Sequence, residues 1–183
     1  MLKSRLCIAF FAFAVGCAPA QKPLTDYVNP MLGTATLWDS VDLGFKPTKR
    51  TWGAEVFPGS SLPNAMVQVS PVTKFHSGAG YQYEDSVIYG FTHTNKGHWN
   101  LCHIPLLPVT GTPTPGDYCS PFSHERESAA PGYYQVFLDR YGVDAQLSST
   151  LRCAFHKYTY PAGAAASLLA DLQRSNEHVR AWD

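Results

Sequence analysis

His98-Trp99-Asn100 carry the most direct chemistry in this sequence of 183 residues. The indole offers a flat apolar face on which a sugar ring can stack, while the imidazole and carboxamide offer directional hydrogen bonds to hydroxyls. Gly97 precedes them, and glycine-marked loops are where binding residues concentrate. The competing reading is that Trp99 caps a hydrophobic core. His93 and His103 flank the triplet at five-residue intervals. Imidazoles are common zinc ligands, but that spacing fits no compact zinc motif and no Cys-x-x-Cys accompanies it. His93 therefore reads as a polar corner or a ligand contact, and His156, inside a strand, as structural. Gly33-Thr34 and Phe57-Pro58-Gly59 can present backbone N–H groups and an aromatic edge, or can simply be tight turns that need glycine.

Acid–base hydrolysis needs two carboxyl groups held across a cleft. Asp39/Asp42, Glu84/Asp85, Glu125/Glu127 and Asp171 are available, but neighbouring or alternate acids belong to turns and solvated strand faces. Ser60-Ser61 lacks the G-x-S-x-G elbow of a serine hydrolase. No catalytic and no metal-binding residue is assigned to this chain.

The elements that must position these residues read as strands. From Asp26 to the last thirty residues no helical period is sustained, and short apolar or alternating runs end at Pro, Gly, Asn and Asp. Strands are expected at Met66–Ser70, Ile88–Thr92, Ile104–Val109, Tyr133–Leu138, Ala145–Thr150, Arg152–Thr159 and Ser167–Asp171. Tyr133 to Tyr160 reads as a three-stranded meander, with a turn at Asp139-Arg140-Tyr141-Gly142. Thr110 to Ser123, with three prolines and two glycines, must be loop. Asp171–Asp183 could form a short helix, but its charges suggest a surface connection. An all-β antiparallel β-sandwich follows.

Composition excludes some partners. The 14 basic and 14 acidic residues cancel, and no basic block exists for a nucleic acid. Charged residues make up 15% and aromatics 13%, which suits a sugar-binding surface or any aromatic-rich sandwich. The first twenty residues read as an export signal: Lys3 and Arg5, then an apolar run from Leu6 to Val15, too short to span a bilayer. Ala14-Val15-Gly16-Cys17 resembles a bacterial lipobox, with Ala14 in place of the usual Leu, and would leave Cys17 lipidated. Ala18-Pro19-Ala20 offers a competing cleavage site. The remaining Cys102, Cys119 and Cys153 allow one disulfide at most; Cys102–Cys119 closes the smaller loop, and buried free thiols are the alternative.

Four blocks, in order, resemble the N-terminal domain of the calcium-dependent exo-α-mannosidases of glycoside hydrolase family 92. Asp26-Tyr27-Val28-Asn29-Pro30-Met31-Leu32-Gly33-Thr34 is similar to the family's D-Y-V-N-P-F-I-G-T opening. Val56-Phe57-Pro58-Gly59 and Met66-Val67-Gln68-Val69-Ser70-Pro71 follow its F-P-G-A-x-x-P-F-G-M-V-Q-L-S-P pattern. Gly80-Tyr81, Tyr83, Asp85, Ile88, Gly90-Phe91 and His93-Thr94 match S-G-Y-x-Y-x-D-x-x-I-x-G-F-S-H-T-H. Phe122-Ser123-His124-Glu125, Pro131-Gly132-Tyr133-Tyr134, Arg152, His156 and Pro161 complete the match. Departures occur at Asn64-Ala65, in the inserted stretch from Trp38 to Lys49, and at Thr94 to His103, where relatives continue with Leu-Ser-Gly. They bear on linkage preference.

The resemblance implies a β-supersandwich of the galactose-mutarotase type, formed by residues 21–183 after a leader of residues 1–20. It implies an exported α-mannosidase that cleaves terminal mannose from glycans with inversion and with calcium. Its acid, base and most calcium ligands would sit in a C-terminal α/α barrel beyond Asp183, so this chain alone is expected to be inactive. Contacts to the mannose-containing glycan are expected from His98, Trp99, Asn100, His93, Phe57, Gly33 and Thr34. A free-standing lectin-like sandwich, or an envelope protein without a ligand, are the alternatives. The end of the chain just after a strand, with an open sheet edge, suggests a part of a longer protein.

Overall fold

A strand with one face on a core buries every second residue, because its side chains alternate in direction. The structure is a computed structural model that describes residues 21–36, 55–96, 101–114 and 116–176. Ten strands form there: β1 (Ser70–Val72), β2 (Val87–Ile88), β3 (Gly90–Thr92), β4 (Leu106–Thr110), β5 (Ser120–Pro121), β6 (Glu127–Ala130), β7 (Tyr133–Leu138), β8 (Val143–Ser149), β9 (Ala154–Thr159) and β10 (Ala166–Ala170). They make three antiparallel sheets, ordered β1-β3-β4-β10, β2-β5 and β6-β7-β8-β9. No α-helix occurs among the described residues, only the 3₁₀ turns Leu24–Tyr27 and His124–Arg126. The expected all-β sandwich is what forms.

The two four-stranded sheets face each other across one core. Tyr134, Val136 and Leu138 of β7, with Val143, Ala145 and Leu147 of β8, meet Phe91 of β3 and Leu107 and Val109 of β4. Most of these side chains are fully buried, and each large one contributes about 1.5–3 kcal/mol by leaving water. The meander is tightened by Gly142, whose N–H donates to Leu138 O at 2.8 Å and whose φ of +65° suits glycine. The Phe-Pro-Gly turn has a different constraint. A Cβ on Gly59 would lie 2.0 Å from Val69 O, because Ser60 bridges Val69 there.

Several expectations are corrected. The strand expected at Met66–Ser70 begins only at Ser70, since Asn64 takes a left-handed turn and Met66 N–H is drawn to Leu151 O at 2.8 Å. Ile88–Thr92 divides at Tyr89, whose N–H donates to Val72 O; β2 pairs with β5, and β3 with β1 and β4. Strand β5 lies inside the stretch expected to be loop, and β6 was not expected. Residues 171–176 are not helical. No disulfide joins Cys102 to Cys119. Burial pushes the Cys102 thiol up to about 12, while Cys153 is exposed.

Candidate functional site

Strand β3 stops at Thr92, and the next residues fold into an anchor. Thr92 Oγ1 donates to Asn95 Oδ1 at 3.0 Å, and Asn95 Nδ2 donates to Thr92 O at 2.5 Å and Gln68 O at 2.9 Å. Asn95 is buried, so its bonds form where water does not compete. Thr94 then receives the returning chain: Thr94 O accepts from Leu101 N–H at 3.4 Å, and Thr94 Oγ1 from His103 N–H at 3.0 Å. His98, Trp99 and Asn100 lie outside the described residues; the structure describes the frame on either side of them. Just past that frame Cys102 and Ile104 have φ of +51° and +49°. A β-branched residue there is a genuine outlier. Each such residue costs about 1–3 kcal/mol, and strain of this kind gathers at ligand-binding loops.

His93 sits beside the anchor. Its Nε2 is 2.7 Å from Nε2 of His156, and His156 Nδ1 is 2.6 Å from the Tyr158 hydroxyl. Phe91 meets the His156 ring edge-on, with centroids 6.3 Å apart. Strands β3 and β9, from different sheets, are thus joined by a polar chain inside an aromatic wall. Burial lowers the pKa of His93, and burial followed by the charge of His93 lowers His156 to about 4. Both rings are neutral near pH 7. Each neutral imidazole has one donor and one acceptor nitrogen, and each Nε2 already faces the other. The pair is built for hydrogen bonding and orientation.

The other expected contacts lie elsewhere. Gly33 has φ of +83°, and the buried Thr34 donates from its N–H and Oγ1 to Met31 O at 3.2 and 2.8 Å. Thr34 O accepts from Tyr83 N–H at 3.0 Å. Phe57 packs half-buried against the core. No hydrogen bond or ring contact among the described residues joins His93, Phe57 and the Gly33-Thr34 corner. No three His, Cys, Asp or Glu side chains converge as a metal site among the described residues.

One constellation escaped the sequence reading. The Glu127 side chain is 2% exposed and accepts from Tyr81 Oη at 3.0 and 3.1 Å and from Tyr134 Oη at 2.5 Å. His124 Nδ1 lies 2.5 Å from the same carboxylate. The other His124 nitrogen is 2.7 Å from Tyr83 O, and its ring stacks on Tyr83 at 4.0 Å. Burial and the Glu127 charge raise both buried tyrosines well above the usual phenol range. This clamp ties β6 and β7 to the Tyr81–Asp85 turn, and the signal for it was the recurrence of Tyr81, Tyr83, His124 and Tyr134 in the quoted motifs.

The model of the glycosyl hydrolase family 92 N-terminal domain matches residues 27–183. The chain belongs to this family. It is similar to a solved family GH92 alpha-mannosidase from Bacteroides thetaiotaomicron in complex with mannoimidazole, at 32% identity and a TM-score of 0.69, over 84% of this chain and 20% of that one. It is also similar to a family GH92 inverting mannosidase from Bacteroides thetaiotaomicron, at 27% identity and a TM-score of 0.64, over 82% of this chain and 20% of that one. The chain thus spans about a fifth of the length of these solved relatives. Among the curated proteins none matches. In this family 92 domain, the Glu127 clamp gathers Tyr81 and, through His124, Tyr83 of the G-Y-x-Y-x-D motif, while the Asn95 anchor stands where this chain departs from G-F-S-H-T-H.

Proposed function

We propose that this chain is the N-terminal portion of an exported exo-α-mannosidase that removes terminal mannose from glycans with inversion. Its part is to close one side of the sugar pocket. The observation that carries the reading is the frame at Thr94-Asn95, where Leu101 and His103 return to Thr94 next to the oriented His93–His156 pair. Trp99 would supply a stacking face, and His98, Asn100 and His93 hydrogen bonds to hydroxyls. Phe57, Gly33 and Thr34 are proposed as lesser contacts at the edge of the domain.

Inverting hydrolysis uses a carboxylic acid to protonate the leaving oxygen and a carboxylate to activate water on the opposite face. Three of the candidate acids have other partners. Glu84 accepts from Thr36 N–H at 2.7 Å, Asp85 from Thr73 Oγ1 at 2.8 Å, and Asp171 Oδ1 from Gln173 N–H at 2.7 Å. The acid and base are therefore proposed to lie in a C-terminal α/α barrel of the same protein. Calcium takes six to eight oxygen ligands, and the described residues form no group that fits it. Calcium is proposed to bind in that barrel, and no step is assigned to it here. Residues 1–20 are proposed to direct export, with lipidation at Cys17 as an anchor.

In the intact enzyme Trp99→Ala should raise KM or shift preference among mannobioses of different linkage; unchanged kinetics on all of them would sink the contact. Residues 21–183 alone should show no mannosidase activity. Cys17→Ser should release the protein from the membrane fraction, and unchanged membrane association removes the lipid anchor.

A further inference from the structure

The outward face of the β6–β9 sheet carries side chains that the core does not explain. Its register lays out three rows across β7, β8 and β9: Tyr133–Ser148–Phe155, Gln135–Gln146–Lys157 and Phe137–Asp144–Thr159. Ser128 of β6 extends the second row beside Gln135. Phe155 is 59% exposed, although its position alternates away from the core. Between the aromatic rows runs a polar ladder. Tyr133 Oη donates to Gln135 Oε1 at 2.9 Å, Gln135 Nε2 to Asp144 Oδ1 at 2.7 Å, and Gln146 Nε2 to Asp144 Oδ2 at 2.7 Å.

That ladder fixes both amides while leaving each a second N–H, and leaving the Gln146 carbonyl outside the ladder as an acceptor. Polar groups already held in place lose little freedom on binding. Two of the charges are answered on the face itself. Asp144 is held by two amides, and the Arg126 guanidinium lies over Phe137 while pairing with Asp139. A groove of about 330 Å³ runs along Glu125, Arg126, Ser128, Gln135, Phe137 and Asp144, which falls within the roughly 300–1,000 Å³ of small-molecule sites. Flat rings flanking fixed amides suit the apolar faces and ring hydroxyls of a neutral pyranoside chain. Lys157 is the single basic side chain of the three rows and Arg126 is paired with Asp139, so an anionic polymer would find few basic partners here.

We propose that this face is a second carbohydrate-binding surface, which takes a neutral oligosaccharide apart from the pocket proposed above. It shares no residue with the His93–His156 pair, because His156 points to the opposite side of β9. In the intact enzyme it would hold a glycan at a distance from the end being cleaved.

The test is affinity electrophoresis of the intact protein in gels containing soluble α-mannan or β-glucan, with saturating methyl α-mannoside present to occupy the catalytic pocket. The wild type should be retarded by at least one polysaccharide. Phe155→Ala with Gln146→Ala should weaken retardation about tenfold, the loss for one stacked ring and one fixed hydrogen bond. Ser128→Arg, which fills the groove without removing a contact, should do the same. Hydrolysis of an aryl α-mannoside and the melting temperature should stay unchanged. Absence of retardation for the wild type overturns the proposal. So does wild-type retardation of both variants, the result expected where another segment of the polypeptide covers this face. A protein without mannosidase activity but with variant-sensitive retardation would overturn the enzymatic reading and leave this surface standing.

Discussion

Acidification should weaken this fold through one ring, and His156→Phe should remove that part of the weakening. His156 is held at about 4 in the folded chain, against 6.5 when free. Between those values the unfolded chain binds a proton that the folded chain refuses, so stability rises with pH and is lost on going down. The loss begins near 6.5 and is complete near 4. A gap of that size corresponds to about 3 kcal/mol at roughly 1.36 kcal/mol per unit. The ring is only part-buried, and solvent screening reduces the expected effect to about 2 kcal/mol. Phenylalanine keeps a ring beside Phe91 but leaves His93 Nε2 and the Tyr158 hydroxyl without this partner. The variant should therefore start about 1–2 kcal/mol lower near neutrality. Urea unfolding of both proteins in steps from neutrality to about pH 4 measures the effect. The two stability curves should converge by about 2 kcal/mol. Parallel curves, or a His156 resonance that titrates near 6.5 by NMR, would refute the reasoning.

Three further outcomes follow from the packing. Glu127→Ala leaves two buried tyrosine hydroxyls and His124 without their acceptor, and should cost about 3 kcal/mol in urea unfolding. Glu127→Gln keeps an acceptor and should recover part of that loss. Gly59→Ala drives a methyl group into Val69 O and should lower stability by about 3 kcal/mol; a melting temperature within a degree or so of wild type would show that the turn can move. Asn95→Ala should cost about 2 kcal/mol and, in the intact enzyme, raise KM more than it lowers kcat. Equal loss in both would argue against a positioning role for the anchor.

The meander was legible because its code is local. Tyr134, Val136 and Leu138 alternate with polar or half-buried neighbours, and Gly142 stands where the turn needs it. Strand β6 was not legible for the opposite reason. Glu127-Ser128-Ala129-Ala130 has neither β-branched nor aromatic residues, and one of its two inward positions is a carboxylate. What makes Glu127 an inside residue is Tyr81 and Tyr134, one of them 46 positions away. The division at Tyr89 is likewise set by Val72 and by β5, neither of which the Val87–Thr92 run reveals. At the site, spacing arguments grouped His93 with His98 and His103, whereas the partner that His93 meets is His156, 63 residues on. Sequence distance records neighbours along the chain; two facing sheets create neighbours of another kind. The four motif blocks carried the family because they encode such meetings jointly, although no single block discloses them.

Thr94 has a consequence for how such an enzyme could diversify. A loop whose two stems are fastened to one residue has its span fixed whatever lies between them. Lengthening a flexible loop adds only about 0.6 kcal/mol of closure entropy per doubling. Substitutions or insertions between Asn95 and Leu101 would then change what is offered to the sugar while the sheets keep their register. Under the function proposed above, the Thr94-Asn95 frame would be a socket and the residues between Asn95 and Leu101 an exchangeable insert, so one sandwich would serve many glycan linkages without being rebuilt.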